Sequence, residues 1–276
     1  MSLHRPIAAL RPFVQLFWAS ERSSTHIPRE RVLPGGGMHV AIRLDGTPLH
    51  LYRDDGDTVG ESIGCAVVAG AHTRFYSKRT PAADSVGMLL RPGAARALLG
   101  CAAHDLAERH VALDAVWSPG EVARLHERLA GTDDARHRIA LFQLALLARL
   151  RPMKAMRPAI AHSLAPLERG ARIADVVNAS GCSHRHFIAR FREATGLAPK
   201  EYARVRRFRR VLRSLARDGE LDDTALDAGY SDQAHLQREF RAMAGMTPCQ
   251  YRRAGARGEL HVPMVNFVQD RPRDPL

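Results

Sequence analysis

The sequence predicts an α+β chain in two parts. The front half holds strands followed by helices, and the C-terminal part is all-α, with two helix-turn-helix units joined by a central helix. Three observations predict this. At 276 residues the chain is long enough for about two domains, each with its own core. Apolar alternation prevails up to Leu90 and helical spacing takes over from Ala94, an order that favours α+β over alternating βαβ units. The third observation is a frame used twice. Phe191, Gly196, Pro199 and Tyr202 recur at identical offsets as Phe240, Gly245, Pro248 and Tyr251, 49 residues on (240 − 191). A period of this size describes one supersecondary unit, and two copies make a paired module.

In the front half, residues 10–18 form a short apolar segment after Pro6 and Pro12. Residues 38–44 alternate on Val40, Ile42 and Leu44, and residues 49–53 alternate again. Between them Asp45-Gly46-Thr47-Pro48 has the turn chemistry of a hairpin. Residues 65–69 and 86–90 read as buried strands, closed by Gly70 and by Pro92-Gly93. Helical spacing follows over 94–99, 122–129 and 139–150. Residues 151–158 carry two prolines, three basic residues and no acid, which breaks the helical pattern and marks a linker. The expected division is 1–151, linker 152–158, helix-turn-helix part 159–255 and tail 256–276. The tail, with Leu260, Val262, Met264, Val265 and Phe267, is too apolar to stay free and is expected to pack back on one of the domains.

Each repeated unit reads as helix, Gly turn, helix. Ile173 and Val177 precede Gly181 by eight and four residues, and Leu221 and Ala225 precede Gly229 by the same steps. Gly can take the left-handed conformation that ends the first helix. A Ser (Ser183, Ser231) then stands where a side-chain oxygen can cap the second. The second helices carry apolar stripes, Phe187, Phe191 and Ala194 in one unit and Leu236, Phe240 and Met243 in the other. Between the units Val205, Phe208, Leu212 and Leu215 form one face of a helix, while Arg204, Arg206, Arg207, Arg209, Arg210 and Arg213 line the other. Two helices at a wide angle through a Gly turn form the motif that lays its second helix in the DNA major groove.

Residues 172–253 resemble the tandem helix-turn-helix domain of the AraC family of bacterial transcription regulators. The match is densest from Ala225-Leu226-Asp227-Ala228-Gly229-Tyr230-Ser231 through Phe240, Gly245, Thr247, Pro248 and Tyr251 to Arg252. In the first unit Ile188 and Ala189 stand where the family usually turns polar or Arg side chains to the bases. The front half is similar to the sensor-type domain that often precedes this module, in Pro12-Phe13-Val14, Phe17-Trp18, Arg31-Val32-Leu33-Pro34, Ala69-Gly70, Leu89-Leu90-Arg91-Pro92-Gly93, Leu99-Gly100 and Val116-Trp117. The resemblance implies a small β-barrel-like (cupin-like) sheet for an effector, followed by helices for dimerisation. It also implies double-stranded DNA as partner, a small-molecule effector whose identity is open, a homodimer, and RNA polymerase as a further partner of an activator.

Net charge is +12 and the pI about 10.5, which suits a polyanion. The outward positions expected to meet DNA are Ser183, His184, Arg185, Ile188, Ala189 and Arg192 in the first unit, and Ser231, Gln233, Ala234, His235, Gln237 and Arg238 in the second. Arg suits guanine, Gln suits adenine, and Ile suits a thymine methyl. Each could instead touch phosphate, positioning the protein without reading sequence. Arg206, Arg210 and Arg213 are candidate phosphate contacts; the alternative is a solvated helix face. If the central helix holds the second helices about one duplex turn apart, roughly 34 Å, both can enter successive major grooves.

No segment approaches the roughly 18 apolar residues of a membrane span, and the N-terminus lacks an apolar leader core. Cys65, Cys101, Cys182 and Cys249 show no C-x-x-C pair, so free thiols in a reducing cytoplasm are expected. There is no G-x-S-x-G elbow, P-loop or dinucleotide fingerprint, and Gly35-Gly36-Gly37 precedes a strand, as a turn would. No catalytic residue, cofactor or metal is expected. Cys182, His184 and His186 lack a fourth ligand, with Cys182 in the turn and His186 expected on the inner side. His39, His50 and His72 read as core or surface histidines. Two alternatives stay open: a metal-dependent enzyme in the front half, localised to DNA by the C-terminal module, and an architectural DNA binder without sequence preference.

Overall fold

In the front half ten strands alternate between two antiparallel sheets. The computed structural model describes residues 1–21, 27–53, 56–80, 83–150, 156–217, 221–254 and 260–263. The strands are β1 (Ser2–His4), β2 (Val14–Ser20), β3 (Ile27–Val32), β4 (His39–Arg43), β5 (Leu49–Tyr52), β6 (Glu61–Gly64), β7 (Ala66–Ala69), β8 (Tyr76–Thr80), β9 (Ser85–Leu90) and β10 (His110–Ala112). An eleventh, β11 (His261–Pro263), returns from the far end of the chain. One sheet has the order β1-β2-β9-β4-β7-β10 and the other β11-β3-β8-β5-β6. They share no strand, so the barrel-like arrangement is open and not closed into a barrel.

Two expectations change here. The turn at Asp45-Gly46-Thr47-Pro48 does not close a hairpin: β4 pairs with β7 and β9, whereas β5 pairs with β6 and β8. The turn carries the chain from one sheet to the other, held by the Arg43 guanidinium on the Thr47 carbonyl and hydroxyl. Strands β3 and β8 escape a search for apolar alternation because Arg31, Glu30, Lys78 and Ser77 occupy them. Their polarity has a place to go. His39 and His110 both lie opposite Ala69, one on each side of β7, and so project from the same face. The ring of Tyr76, from the other sheet, meets His110 at 4.3 Å, and His72 stacks on His110 at 4.6 Å. Glu30 pairs with Lys78 at 2.9 Å. The space between the sheets is therefore lined by ionisable groups as well as hydrocarbon.

Helices cover the other side of the first sheet. These are α1 (Ala95–Leu98), α2 (Pro119–Ala130) and α3 (Ala135–Arg149). Ser118 and Glu121 form a capping box at the start of α2, and the Asp134 carboxylate caps α3 through the His137 N–H. Phe142 of α3 meets Phe17 of β2 edge-on at 5.7 Å, and the Trp117 indole donates to the Leu98 carbonyl. Burying rings of this size contributes about 1.5–3 kcal/mol apiece.

The C-terminal helices are α4 (Pro158–Arg169), α5 (Ile173–Ala179), α6 (His184–Thr195), α7 (Pro199–Leu215), α8 (Leu221–Ala228), α9 (Gln233–Ala244) and α10 (Pro248–Arg253). Phe187, Phe191, Phe208, Leu212, Leu236 and Phe240 are fully buried, as the stripes predict. Residues 152–155 of the expected linker, and tail residues 256–259 and 264–276, lie outside the described residues. The remaining piece of tail answers where it packs: Val262 is buried, β11 pairs with β3, and the Leu33 N–H donates to the Leu260 carbonyl at 2.8 Å. The tail docks on the front sheets.

Candidate nucleic-acid interface

Each unit is assembled by glycines and caps at matched positions. Gly181 and Gly229 take φ of +65° and +85°, ending α5 and α8 in the left-handed region where a side chain would be strained. The Ser183 hydroxyl then accepts the His186 N–H to start α6. The second unit departs from the expected Ser cap. Asp232 caps α9, accepting the His235 N–H at 2.6 Å, and the Ser231 hydroxyl donates to that carboxylate instead. These hydrogen bonds, the backbone N–H first, hold the Asp232 carboxyl below the usual carboxylate range.

With the apolar stripes turned inward, the remaining positions face out. On α6 His184, Arg185, Ala189 and Arg192 are exposed, Ser183 is exposed at the cap, and Ile188 is half-buried. On α9 Gln233, Ala234, Gln237 and Arg238 are exposed, as is Ser231 before it. His186 is also exposed, contrary to the inner position expected for it. The residues of α6 that turn into the core are Phe187, Phe191 and Thr195. His235 is half-buried and engaged: its Nδ1 lies 3.1 Å from the Ser231 hydroxyl, its Nε2 3.6 Å from Glu239, and its ring meets Tyr230 edge-on.

Much of the arginine face of α7 is paired within the protein. Arg204 and Arg207 both donate to the Glu239 carboxylate, at 2.9 and 2.6 Å, on the inner side of α9. Glu239 is only 8% exposed. Arg207 also lies over the Tyr230 ring, whose hydroxyl is pushed up to about 12 by burial and then by Glu239. Toward the first unit, Glu168 at the end of α4 accepts the Tyr202 hydroxyl at 2.7 Å and Arg206 at 3.0 Å. Arg210 donates to the carbonyls of Glu168 and Ala228, near the C-termini of α4 and α8. Such carbonyls have no intrahelical donor and attract a cation. Two of the three expected phosphate contacts, Arg206 and Arg210, thus donate within the protein. Arg213 alone of the three is exposed. Arg204, Arg206, Arg207 and Arg210 act as tie rods that fix α4, α8 and α9 to the central helix.

Sequence reasoning missed the front-half residues that reach these helices. The Gly93 N–H donates to the Ala194 carbonyl of α6 at 2.7 Å and the Phe75 N–H to the Met243 carbonyl of α9 at 2.8 Å. Arg96 pairs with Glu193 at 2.9 Å, and Arg31 donates to the Gly245 carbonyl at 2.9 Å. Nothing local in the sequence signals a partner so distant. Among the described residues no group of three or more His, Cys, Asp or Glu side chains is placed to hold a metal ion.

Comparison with known proteins agrees with this geometry. Residues 176–254 match a family described as a helix-turn-helix domain, and residues 2–112 match a domain of unknown function, DUF6597. The chain is 33% identical over 93 residues to the probable transcription factor PqrA of Proteus vulgaris, covering 33% of this chain and 76% of that protein. It is 28% identical over 124 residues to the bifunctional transcriptional activator/DNA repair enzyme Ada of Escherichia coli, covering 40% of this chain but only 35% of that protein. Among solved structures, ToxT of Vibrio cholerae aligns over 86% of this chain and 97% of its own, at 11% identity and a TM-score of 0.46. The DNA-binding domain of AdpA, in complex with a target DNA, aligns over 37% of this chain and 93% of its own, at 27% identity and a TM-score of 0.32.

Proposed function

The chain belongs to the AraC family of transcription regulators and is a DNA-binding protein, and from that premise we propose that it reads operator sequence with α6 and α9 in successive major grooves on one side of the duplex. The observation that carries this is the matched exposure of two capped helices, one presenting His184, Arg185, Ile188, Ala189 and Arg192, the other Gln233, Ala234, Gln237 and Arg238. Ser183 and Ser231, at the helix starts, are placed for phosphate. Arg213 is the remaining phosphate contact on α7, and His235 supports the second helix from within.

The front sheets are proposed as the sensing part, and the reading they support is control by a small molecule through population of one arrangement. Their interior sets His39, His72, His110 and Tyr76 together, and the Nε2 atoms of His72 and His110 are buried without a hydrogen-bond partner among the described residues. A protein that only needed a core would fill this space with hydrocarbon, since unpaired buried polar groups cost stability. On this reading the protein works in the cytoplasm without catalysing a reaction, as a homodimer, and contacts RNA polymerase where it activates. Footprinting on the promoters of its own and neighbouring genes tests the proposal, with selection of bound sequences from a random pool. Recovery of two half-sites supports it. Uniform binding to all duplexes would leave an architectural binder.

A further inference from the structure

Two of the contacts between the front half and the helices fall at equivalent places in the repeat. Ala194 and Met243 are 49 residues apart (243 − 194), the same step that separates Phe191 from Phe240. Each lies in the last turn of its helix, where the carbonyl has no donor within the helix. Each receives a backbone N–H from the front half, Gly93 at 2.7 Å and Phe75 at 2.8 Å. The glycine two residues after each carbonyl is pressed against the same body. A Cβ on Gly196 would lie 3.2 Å from the Ala103 carbonyl and 3.3 Å from Ala71, and one on Gly245 would lie 2.4 Å from the Phe75 ring. A charged contact reinforces each point: Arg96 with Glu193 at the first, and Arg31 on the Gly245 carbonyl and over the Phe75 ring at the second. Ala71 and Phe75 sit in one loop, between β7 and β8, so a single segment reaches both helices.

We infer that the front half is a two-point brace that sets the placement of α6 relative to α9, making Gly93, Arg96, Phe75 and Arg31 positioning residues for half-site spacing. The brace grips the C-terminal ends of both helices and leaves His184, Arg185, Gln233 and Arg238 exposed. It therefore aligns the reading surfaces without covering them. Without it, the two units would be joined only through α7, and their relative placement would spread over several spacings. The inference rests on the operator-reading proposal and adds the residues that set its geometry. It also supplies a route for an effector, because the loop that holds Ala71 and Phe75 includes His72, which lines the space between the sheets.

The test uses the full chain and two variants, Arg31→Ala with Phe75→Ala for the second point and Arg96→Glu for the first. Binding is measured to operators with constant half-sites and spacers changed by single base pairs. The expected result is a fall of roughly fivefold or more in discrimination between the best spacer and its neighbours, with base preferences inside each half-site unchanged. Hydrogen exchange without DNA should show protected amides at Gly93 and Phe75 in the parent chain, and at Gly93 a loss of protection in Arg96→Glu. Unchanged spacing preference in both variants overturns the brace, as does equal weakening at every spacer and base. So do fast-exchanging amides at Gly93 and Phe75 in the parent. If the parent shows no sequence preference at all, the operator-reading proposal fails, and the exchange data alone still decide whether the brace forms.

Discussion

The two helix-turn-helix units share a frame, yet α9 presents Gln237 and Arg238 where α6, 49 residues earlier, presents Ile188 and Ala189. Their inner anchors differ as well. The second unit is held to α7 by Glu239 of α9, a carboxylate 8% exposed that takes two arginines, while on the side of the first unit the anchor is Glu168 of α4, the helix before it, whose side chain is 37% exposed. The caps differ in charge, Asp232 against Ser183. The lesson is that a duplicated backbone does not impose duplicated chemistry. Once the Phe, Gly, Pro and Tyr positions secure the fold, the outward residues are free to diverge. On the proposed reading, the second unit offers hydrogen bonds to base edges, and the middle of the first offers contact with apolar groups such as thymine methyls.

The comparison breaks most readily at the anchors. Glu239→Ala should cost roughly 1.5–3 kcal/mol in chemical denaturation, because it removes the acceptor that Arg204 and Arg207 share. Glu168→Ala, at an exposed anchor, should cost about 1 kcal/mol or less. Equal losses would mean that the two units are not anchored differently. Next come the reading positions. Arg238→Ala or Gln237→Ala should cost about 1–3 kcal/mol of binding, confined to one or two base pairs of one half-site. Ile188→Ala should cost about 1 kcal/mol, at positions carrying a thymine. The double change Ile188→Gln with Ala189→Arg should give the first half-site a new base preference, read by selection from a random pool.

Smaller effects sharpen the contrast between tie rods and phosphate contacts. Arg213→Ala should lower the slope of log affinity against log salt by about 1, whereas Arg206→Ala should leave the slope alone and lower thermal stability. The smallest is a pH effect in the front sheets. Burial, then charged neighbours such as Lys78, lowers His39 to about 3 and His110 to about 2. Both groups are neutral in the fold and bind protons when unfolded. Their contribution is thus complete above about pH 6.5 and is lost as pH falls toward the folded values, at up to about 1.4 kcal/mol per pH unit for each imidazole. Glu30, depressed by Lys78 and His261 against the opposing effect of burial, acts in the same direction below about pH 4.5. Denaturation midpoints measured from pH 7 to pH 5 should fall, and the fall should flatten in His110→Gln. A flat profile in the parent chain would place these imidazoles in water.

Much of the helical architecture was legible residue by residue, because glycines at Gly181, Gly196, Gly229 and Gly245 and the stripes through Phe191 and Phe240 act within one or two turns of themselves. The outward set on α6 and α9 followed by subtraction, except His186, exposed, and His235, engaged by Ser231 and Glu239. The front half was less legible. Strands β3 and β8 hide behind charged residues whose partners lie on neighbouring strands of the same sheet or at the end of α9, and the turn after β4 changes sheets without any local sign of doing so.

The sequence by itself determined the repeat, the second helix of each unit and its apolar face, since periodicity and glycine stereochemistry are local properties. Tertiary structure decided the rest. It assigned Arg206 and Arg210 to Glu168 and helix-end carbonyls, sent residues 260–263 to the edge of β3, and brought Gly93 and Phe75 to two helices more than a hundred residues away. A guanidinium or a backbone N–H can satisfy many acceptors equally well, and only the packed chain settles which one it meets.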